Sequence, residues 1–186
     1  MDLTHLGGLA PALDGPVATG SDGAMSERLR LRFEKPGFLS RHHDVVAVDE
    51  RDEAGADRYL TSLDRRPSSS AAEFALEGRA FTCRSKGVFT TRFVLELDGD
   101  EVVAMRRRGA RCVLESASGR DLVLRKMGLL RPSFALLEDG EEVGTLRTTG
   151  WIAPVLHADL PGDTPLPVAV FLGYACTEIR SSDSDD

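Results

Sequence analysis

The chain has few cysteines, no long apolar run and no basic N-terminal patch. Cys83, Cys112 and Cys176 are odd in number and form no C-x-x-C pair, so we expect reduced thiols instead of a disulfide framework. The strongest apolar run, Leu166 to Cys176, is roughly half as long as a membrane-spanning helix, and the N-terminus lacks signal-peptide features. We therefore expect a cytoplasmic protein without a transmembrane segment, while peripheral attachment to a membrane stays open.

An excess of positive charge is also absent. Lys and Arg number 23 against 30 Asp and Glu, a formal net charge of −7. Such a field repels nucleic acid and anionic membranes, so no nucleic-acid partner is expected and any anion binding must be local. The 186 residues, 41% of them hydrophobic, are typical of one globular domain.

The composition and residue pattern of the sequence change twice along the chain. Residues 1–28 are rich in Gly, Ala, Pro, Asp and Ser without a sustained period, which predicts a flexible leader. Leu29 to Phe33 alternates apolar and basic residues, as a half-buried strand does, and the polar segment 64–72 separates this short N-terminal strand set from the main body. We predict a single domain over 29–180 and a disordered acidic tail over 181–186.

The main body is a series of short strands joined at turn residues. Its turn glycines Gly99, Gly119 and Gly140 are 20 and 21 residues apart, which is typical of successive hairpins in an antiparallel meander. The first and third hairpins also match in their flanks at a spacing of 41, with Phe93 equivalent to Phe134 and Asp98 to Asp139. A duplicated barrel or sandwich is the natural interpretation.

The C-terminal segment breaks this series. Thr164 and Pro165 suit the start of a helix, and residues 166–177 are then apolar on every side. A helix that is apolar all round must be enclosed, and the available neighbours are strands. The favoured fold is therefore mainly β, an antiparallel closed β-barrel of hairpins around a buried C-terminal hydrophobic helix. A buried strand over 168–172 is the competing interpretation.

These elements resemble the tubby-like barrel group, which includes the tubby C-terminal domain, the LURP-one-related proteins and the phospholipid scramblases. The residues that carry the resemblance are Phe93 to Met105 with Asp98-Gly99, Leu130 to Phe134 running into Asp139 to Gly144, and the closing stretches 159–161 and 165–172. The resemblance implies a barrel of about twelve strands around a central helix. It also implies phosphoinositide binding by membrane-facing members, although no binding motif aligns residue by residue.

A basic strip is the clearest local anomaly. Between Glu101 and Arg131 the chain holds eight basic and three acidic residues, a local charge of +5. Arginine matches phosphate oxygens in pairs, so the strip is a candidate anion site. Because strand residues alternate faces, Arg107 must point away from Arg106 and Arg108, and part of the strip is then plain surface. The acidic runs 49–53 and 138–142 resemble turn tips, for which solvation is the favoured interpretation and neutralisation of the strip is the alternative. The candidate residues are Arg106, Arg107, Arg108, Arg111, Arg125, Lys126 and Arg131.

Other chemistry finds little support in the sequence. His42-His43-Asp44 contains metal-ligand residue types, but adjacent strand residues face apart, and a solvent-facing turn is the favoured interpretation. There is no G-x-S-x-G elbow, P-loop or G-x-G-x-x-G motif, so no catalytic residue, metal or cofactor is expected. Cys112 and Cys176 are expected in the core, and Trp151 is expected to plug a barrel end.

The sequence therefore predicts a non-enzymatic binding or scaffold module that recognises an anionic lipid headgroup or a protein. A small-ligand carrier, with a cavity inside the barrel, is the first alternative. An enzyme that assembles distant residues such as His43, Asp44 or His157 is the second, and it requires two of them to converge in one cleft.

Overall fold

Twelve strands and one helix make up the computed structural model, which describes residues 27–36, 40, 42–48, 57–66, 71–87, 92–115, 122–128, 133–150 and 154–182. The strands are β1 (Arg28–Glu34), β2 (His42–Ala47), β3 (Arg58–Arg65), β4 (Ala72–Leu76), β5 (Arg79–Lys86), β6 (Arg92–Leu97), β7 (Asp100–Arg108), β8 (Arg111–Glu115), β9 (Leu122–Met127), β10 (Ser133–Glu138), β11 (Glu141–Thr149) and β12 (Val155–Pro161). The helix is α1 (Leu166–Ser182).

The strands form a closed antiparallel barrel in which each strand pairs with its neighbours in the chain. The barrel closes between β1 and β12, with Leu31 opposite Ala158 and Phe33 opposite Leu156. Leu31 and Phe33 are each 1% exposed, because the alternation of β1 turns its apolar residues inward and its arginines outward. The predicted closed barrel is confirmed, and the N-terminal strands are integral to it instead of forming a separate set.

Two hairpins carry the repeat that the sequence indicates. β6–β7 and β10–β11 each turn through an Asp-Gly pair in which both residues have positive φ, near 53° and 92° at Asp98-Gly99 and near 51° and 89° at Asp139-Gly140. Each hairpin also has a register shift at the equivalent place, after Leu95 in one and after Leu136 in the other. Matching bulges at the 41-residue spacing give the sequence repeat a backbone counterpart.

The helix α1 runs inside the barrel. Every residue from Val168 to Cys176 is buried, and the helix contacts β6 and β12, which stand on opposite sides of the strand order. Gly173 faces the Phe33 ring on β1, and Tyr174 meets Phe93 on β6 edge-on at 6.4 Å between ring centroids. The predicted helix is confirmed over the competing strand, and its side chains fill the barrel interior.

The two ends of the barrel differ. At the turn end, tight hairpins run through Glu77-Gly78, Asp98-Gly99 and Asp139-Gly140, and the chain enters α1. At the exit end, α1 finishes at Ser182. Because neighbouring strands are antiparallel, the exit end also holds the last residues of β1, β3, β5, β7, β9 and β11 and the first residues of the other six strands.

The domain boundaries differ slightly from the predicted ones. β1 begins at Arg28, one residue earlier than expected, and α1 includes Ser181 and Ser182, which were assigned to the tail. Residues 1–26 of the predicted leader and 183–186 of the predicted tail lie outside the described residues, as do Trp151 and Gly119.

Candidate functional site

Six of the seven predicted anion-binding residues lie at the exit end of the barrel, and the seventh, Arg131, lies outside the described residues. The chain brings the six together on three neighbouring strands, because β7 ends, β8 begins and β9 ends at this edge. Strand alternation then divides them between the outer and inner faces of the barrel wall. The six are Arg106, Arg107, Arg108, Arg111, Arg125 and Lys126.

Three of these arginines form a row on the outer face. Arg108 is directly opposite Arg111, and Arg111 is directly opposite Arg125. Paired Cα atoms in antiparallel strands are about 5 Å apart, so the row spans about 10 Å. We call Arg108, Arg111 and Arg125 the outer arginine row.

The outer arginine row has no carboxylate partner among the described residues. The Nε of Arg125 is also buried without a hydrogen-bond acceptor. Like charges directly opposite each other destabilise a sheet, and a guanidinium without acceptors leaves its planar donor fork unused. The row therefore presents three guanidinium groups that an external anion can satisfy.

Arg106 does not belong to this row, although it lies on the same outer face. Its Nε is 3.1 Å from Glu115, and Arg92 approaches Glu115 at 3.5 Å and Glu101 at 2.5 Å. The next pair along β6 and β7 on this face, Val94 and Ala104, is buried although its strand positions face outward. Arg106 is thus part of an intramolecular ion-pair network.

Arg107 and Lys126 occupy the inner face. Arg107 donates from Nη1 to Ser182 Oγ at 3.3 Å and from Nε to the Gly109 carbonyl at 3.2 Å, so it ties β7 to the last turn of the helix. Lys126 is paired with the buried residue Phe134 and also faces inward. The prediction that Arg107 points away from Arg106 and Arg108 is confirmed, and the strip is two separate surfaces.

The acidic run 138–142 forms a turn, as predicted, whereas the acidic run 49–53 lies outside the described residues. Glu138 is opposite Leu122, whereas Arg125 is opposite Ala135. Three residues along a strand correspond to about 10 Å, and Asp139 and Gly140 lie beyond Glu138 at the turn end. Residues 139–142 are exposed and lie at the end of the barrel opposite to the outer arginine row, which agrees with the favoured interpretation of a solvated turn tip.

His43 is also placed differently from the prediction. It lies within β2 and is 5% exposed, so the solvent-facing turn is wrong for this residue. Burial, followed by the charges of Lys35, Arg65, Arg180 and His42, lowers the pKa of His43 to about 4. A neutral imidazole is therefore enclosed by cations, with its Nδ1 buried and without a hydrogen-bond partner.

These cations gather at the exit end on the inner face of the wall. The register of β1 and β2, continued by one residue, brings Lys35 opposite His43. Leu63 on β3 is opposite His43 on its other side, and Arg65 follows two positions later on the same face. Arg65 forms an ion pair with Glu178 of the helix. The sequence did not predict this group. The one feature that points to it is the residue alternation of β1 and β2, which places Lys35 and His43 on the inner face.

Two of the three residues named for the enzymatic alternative, His43 and His157, do not meet. His157 is exposed on β12, and its Nε2 is 3.0 Å from Thr149 Oγ1, whereas His43 faces the barrel interior. The two imidazoles thus lie on opposite faces of the wall. Among the described residues, no group of three or more His, Cys, Asp or Glu side chains is placed to hold a metal ion.

Cys83, Cys112 and Cys176 are buried and form no disulfide, so the expected core position of Cys112 and Cys176 is confirmed. Burial raises the pKa of the Cys83 and Cys176 thiols well above the ordinary thiol value. A thiolate is the reactive form of cysteine, so these side chains serve packing instead of nucleophilic chemistry.

Comparisons with known proteins add no name to this site. No helix in the described part of the chain has both the length and the apolar character needed to cross a membrane. No protein-family model matches the chain, and no curated protein matches its sequence.

Proposed function

We propose that this protein is a non-enzymatic binding module of the tubby-like barrel type whose outer arginine row recognises an anionic lipid surface. The observation that carries the proposal is the direct opposition of Arg108, Arg111 and Arg125 without a carboxylate partner among the described residues. Neighbouring arginines on the same face are neutralised by Glu101 and Glu115. The contrast distinguishes the row from the ion-paired arginines beside it.

An exposed apolar side chain beside the row favours a lipid surface as the partner. Met127 is 38% exposed and follows Arg125 by two residues on the outer face of β9. Peripheral membrane proteins combine basic residues, which meet the phosphates, with apolar side chains that enter the interfacial region. Arg108, Arg111, Arg125 and Met127 supply both components at one end of the barrel.

The packing of the barrel argues against the carrier alternative. α1 occupies the interior, and a Cβ added to Gly173 would lie less than 3.0 Å from three ring carbons of Phe33. Such a helix–wall contact leaves no room for a ligand at that level of the barrel. The outer surface is therefore the better candidate for recognition.

Vesicle binding tests the proposal. We expect the full chain to float with phosphatidylserine-containing vesicles and not with phosphatidylcholine vesicles, and to be released at high salt. Each arginine near an anionic surface contributes about 1 kcal/mol, so Arg111→Gln should weaken binding about fivefold and the triple Arg108→Gln, Arg111→Gln, Arg125→Gln variant about a hundredfold.

The matched control is Arg58→Gln at the turn end. Arg58 is also exposed at the first position of a strand and has no ion-pair partner among the described residues, so its replacement makes the same change in net charge. It should leave vesicle binding unchanged. Equal losses in Arg58→Gln and Arg111→Gln would refute a localised site. Row-dependent binding to an acidic peptide without vesicle binding would transfer the function to a protein partner and refute the lipid assignment.

A further inference from the structure

The exit end contains a second cationic cluster, which is separate from the outer arginine row. It consists of Lys35, His43, Arg65, Glu178 and Arg180, and we call it the inner mouth cluster. Its members come from β2, β3, the residue after β1 and the last part of α1. They face the space between the barrel wall and the helix, whereas the outer arginine row faces away from the barrel.

The inner mouth cluster holds its cations in a partly desolvated place. The carboxylate of Glu178 pairs with Arg65. The side chain of Arg65 is 29% exposed and that of Glu178 is 11% exposed. Burial lowers the pKa of Lys35, Arg65 and Arg180 from their ordinary values. Cations held together with so little solvent repel one another, and an anion would relieve that repulsion.

The hydrogen-bonding groups of the cluster fit an oxyanion. His43 is 5% exposed, and its Nδ1 has no partner; in the Nδ1-protonated tautomer this atom donates. Lys35 has no ion-pair partner among the described residues. An ammonium, a guanidinium and a ring N–H thus line one space, and a buried donor without an acceptor is costly unless a ligand supplies one.

We propose that the inner mouth cluster binds a phosphate or phosphomonoester dianion between Lys35, His43, Arg65 and Arg180. The oxygens of such a dianion accept from guanidinium, ammonium and imidazole donors. This site goes beyond the proposed function, since it uses none of the residues of the outer arginine row. Glu178 holds Arg65 in place and competes with the anion for it.

The test uses the full chain, with the ring signals of His43 followed by NMR while inorganic phosphate is added. We expect saturable shifts of the His43 signals and a rise in its apparent pKa, because a bound dianion stabilises the imidazolium. Chloride at the same ionic strength should produce neither effect. Lys35→Gln should weaken phosphate binding about tenfold, by loss of one charge-assisted contact. Glu178→Gln should strengthen it.

Arg65→Gln should also weaken phosphate binding, and Arg66→Gln is its matched control. Arg66 is adjacent in sequence, but it is exposed and pairs with Glu73 on the outside, so its replacement should leave phosphate binding unchanged. Lys35→Gln provides an independent variant if Arg65→Gln does not fold. Equal responses to chloride and phosphate, or equal losses in Arg66→Gln and Lys35→Gln, would overturn the proposal.

A second arm separates free phosphate from a lipid headgroup. Vesicles containing phosphatidic acid replace inorganic phosphate in the same experiment. A His43 response to vesicles alone assigns the dianion to a lipid phosphomonoester, and a response to inorganic phosphate assigns it to a soluble ligand; no response to either overturns the site. Arg111→Gln should retain the His43 response to inorganic phosphate. Failure of vesicle binding through the outer arginine row is thereby distinguishable from failure of the inner site.

Discussion

Replacing Gly173 with alanine tests the central packing claim, that the barrel wall closes tightly on the helix. A Cβ at Gly173 would approach three ring carbons of Phe33 to less than 3.0 Å. Phe33 is 1% exposed and belongs to β1, which is paired on both sides, so the ring has little freedom to move. The substitution must therefore displace the helix, the ring or both.

Two effects of known size oppose each other in Gly173→Ala. Alanine stabilises a helix interior by about 1 kcal/mol relative to glycine, and overpacking a filled core costs about 1–3 kcal/mol or more. Because the contact falls on a buried aromatic ring instead of a flexible chain end, we expect overpacking to win. The free energy of unfolding should decrease by about 1–2 kcal/mol, as measured by urea denaturation with an unchanged m value.

A double-mutant cycle identifies the cause of the loss. Phe33→Leu removes most of the ring and should itself destabilise the protein, but it should reduce the additional effect of Gly173→Ala by about 1 kcal/mol or more. Ser181→Ala, at an exposed helix position, changes helix propensity without a steric contact and should stay within about 0.5 kcal/mol of the parent. A Gly173→Ala variant as stable as the parent, or strict additivity with Phe33→Leu, would refute the tight contact.

Three further predictions follow from charge and backbone geometry. Between pH 6.5 and pH 4 the unfolded chain binds a proton at His43 that the folded chain, with a pKa of about 4 there, does not. Stability should therefore fall by about 2 kcal/mol from pH 7.5 to pH 5, and urea denaturation of His43→Leu should lack this loss. Gly99→Ala and Gly140→Ala should each reduce the free energy of unfolding by about 1–2 kcal/mol, and additively, because their φ values of 92° and 89° disfavour a side chain although nothing lies within 4 Å; equal stability of either variant would contradict this. Glu115→Gln should free Arg106 and tighten vesicle binding severalfold in flotation, and weaker binding would count against the charge argument.

The hairpins were predictable from the sequence because their turns demand special residues. Asp98-Gly99 and Asp139-Gly140 adopt positive φ, which glycine accepts and aspartate tolerates. The turn at Glu77-Gly78 has the same backbone, with φ of 52° and 75°, but it was missed. Glutamate is not a typical residue for that position, so tertiary pairing of β4 with β5 overrides the local preference there.

β3 was not predicted because it carries an aromatic residue at an outward position and a polar residue at an inward position. Tyr59 points outward and is 60% exposed, whereas Thr61 points inward and is 5% exposed. A register shift after Val45 in the β2–β3 pair also interrupts the regular alternation of inward and outward residues. An apolar-in, polar-out pattern cannot identify such a strand, and pairing with β2 decides its place.

Of the two candidate sites, one could be predicted from the sequence and the other could not. A run of arginines from 106 to 111 is visible in the sequence, and strand alternation already indicates that it has two faces. The inner mouth cluster joins Lys35 to Arg180, 145 positions apart, through the barrel and its helix. No local pattern links residues at that separation, so only the closed topology shows that they meet.

Among the described residues, the acidic side chains of the Asp98-Gly99 and Asp139-Gly140 hairpins lie at the turn end, away from the outer arginine row at the exit end. The 17 residues of α1 extend about 25 Å, and the Debye length is about 8 Å at physiological ionic strength. The acidic turn end is therefore screened from an anion at the exit end. At about 10 mM salt the Debye length is about 30 Å, and the turn end begins to repel the same anion. Vesicle affinity should rise as salt is lowered from about 150 mM, and then rise less steeply below about 20 mM. A constant logarithmic slope over the whole range would show that the two ends do not act as opposed charges.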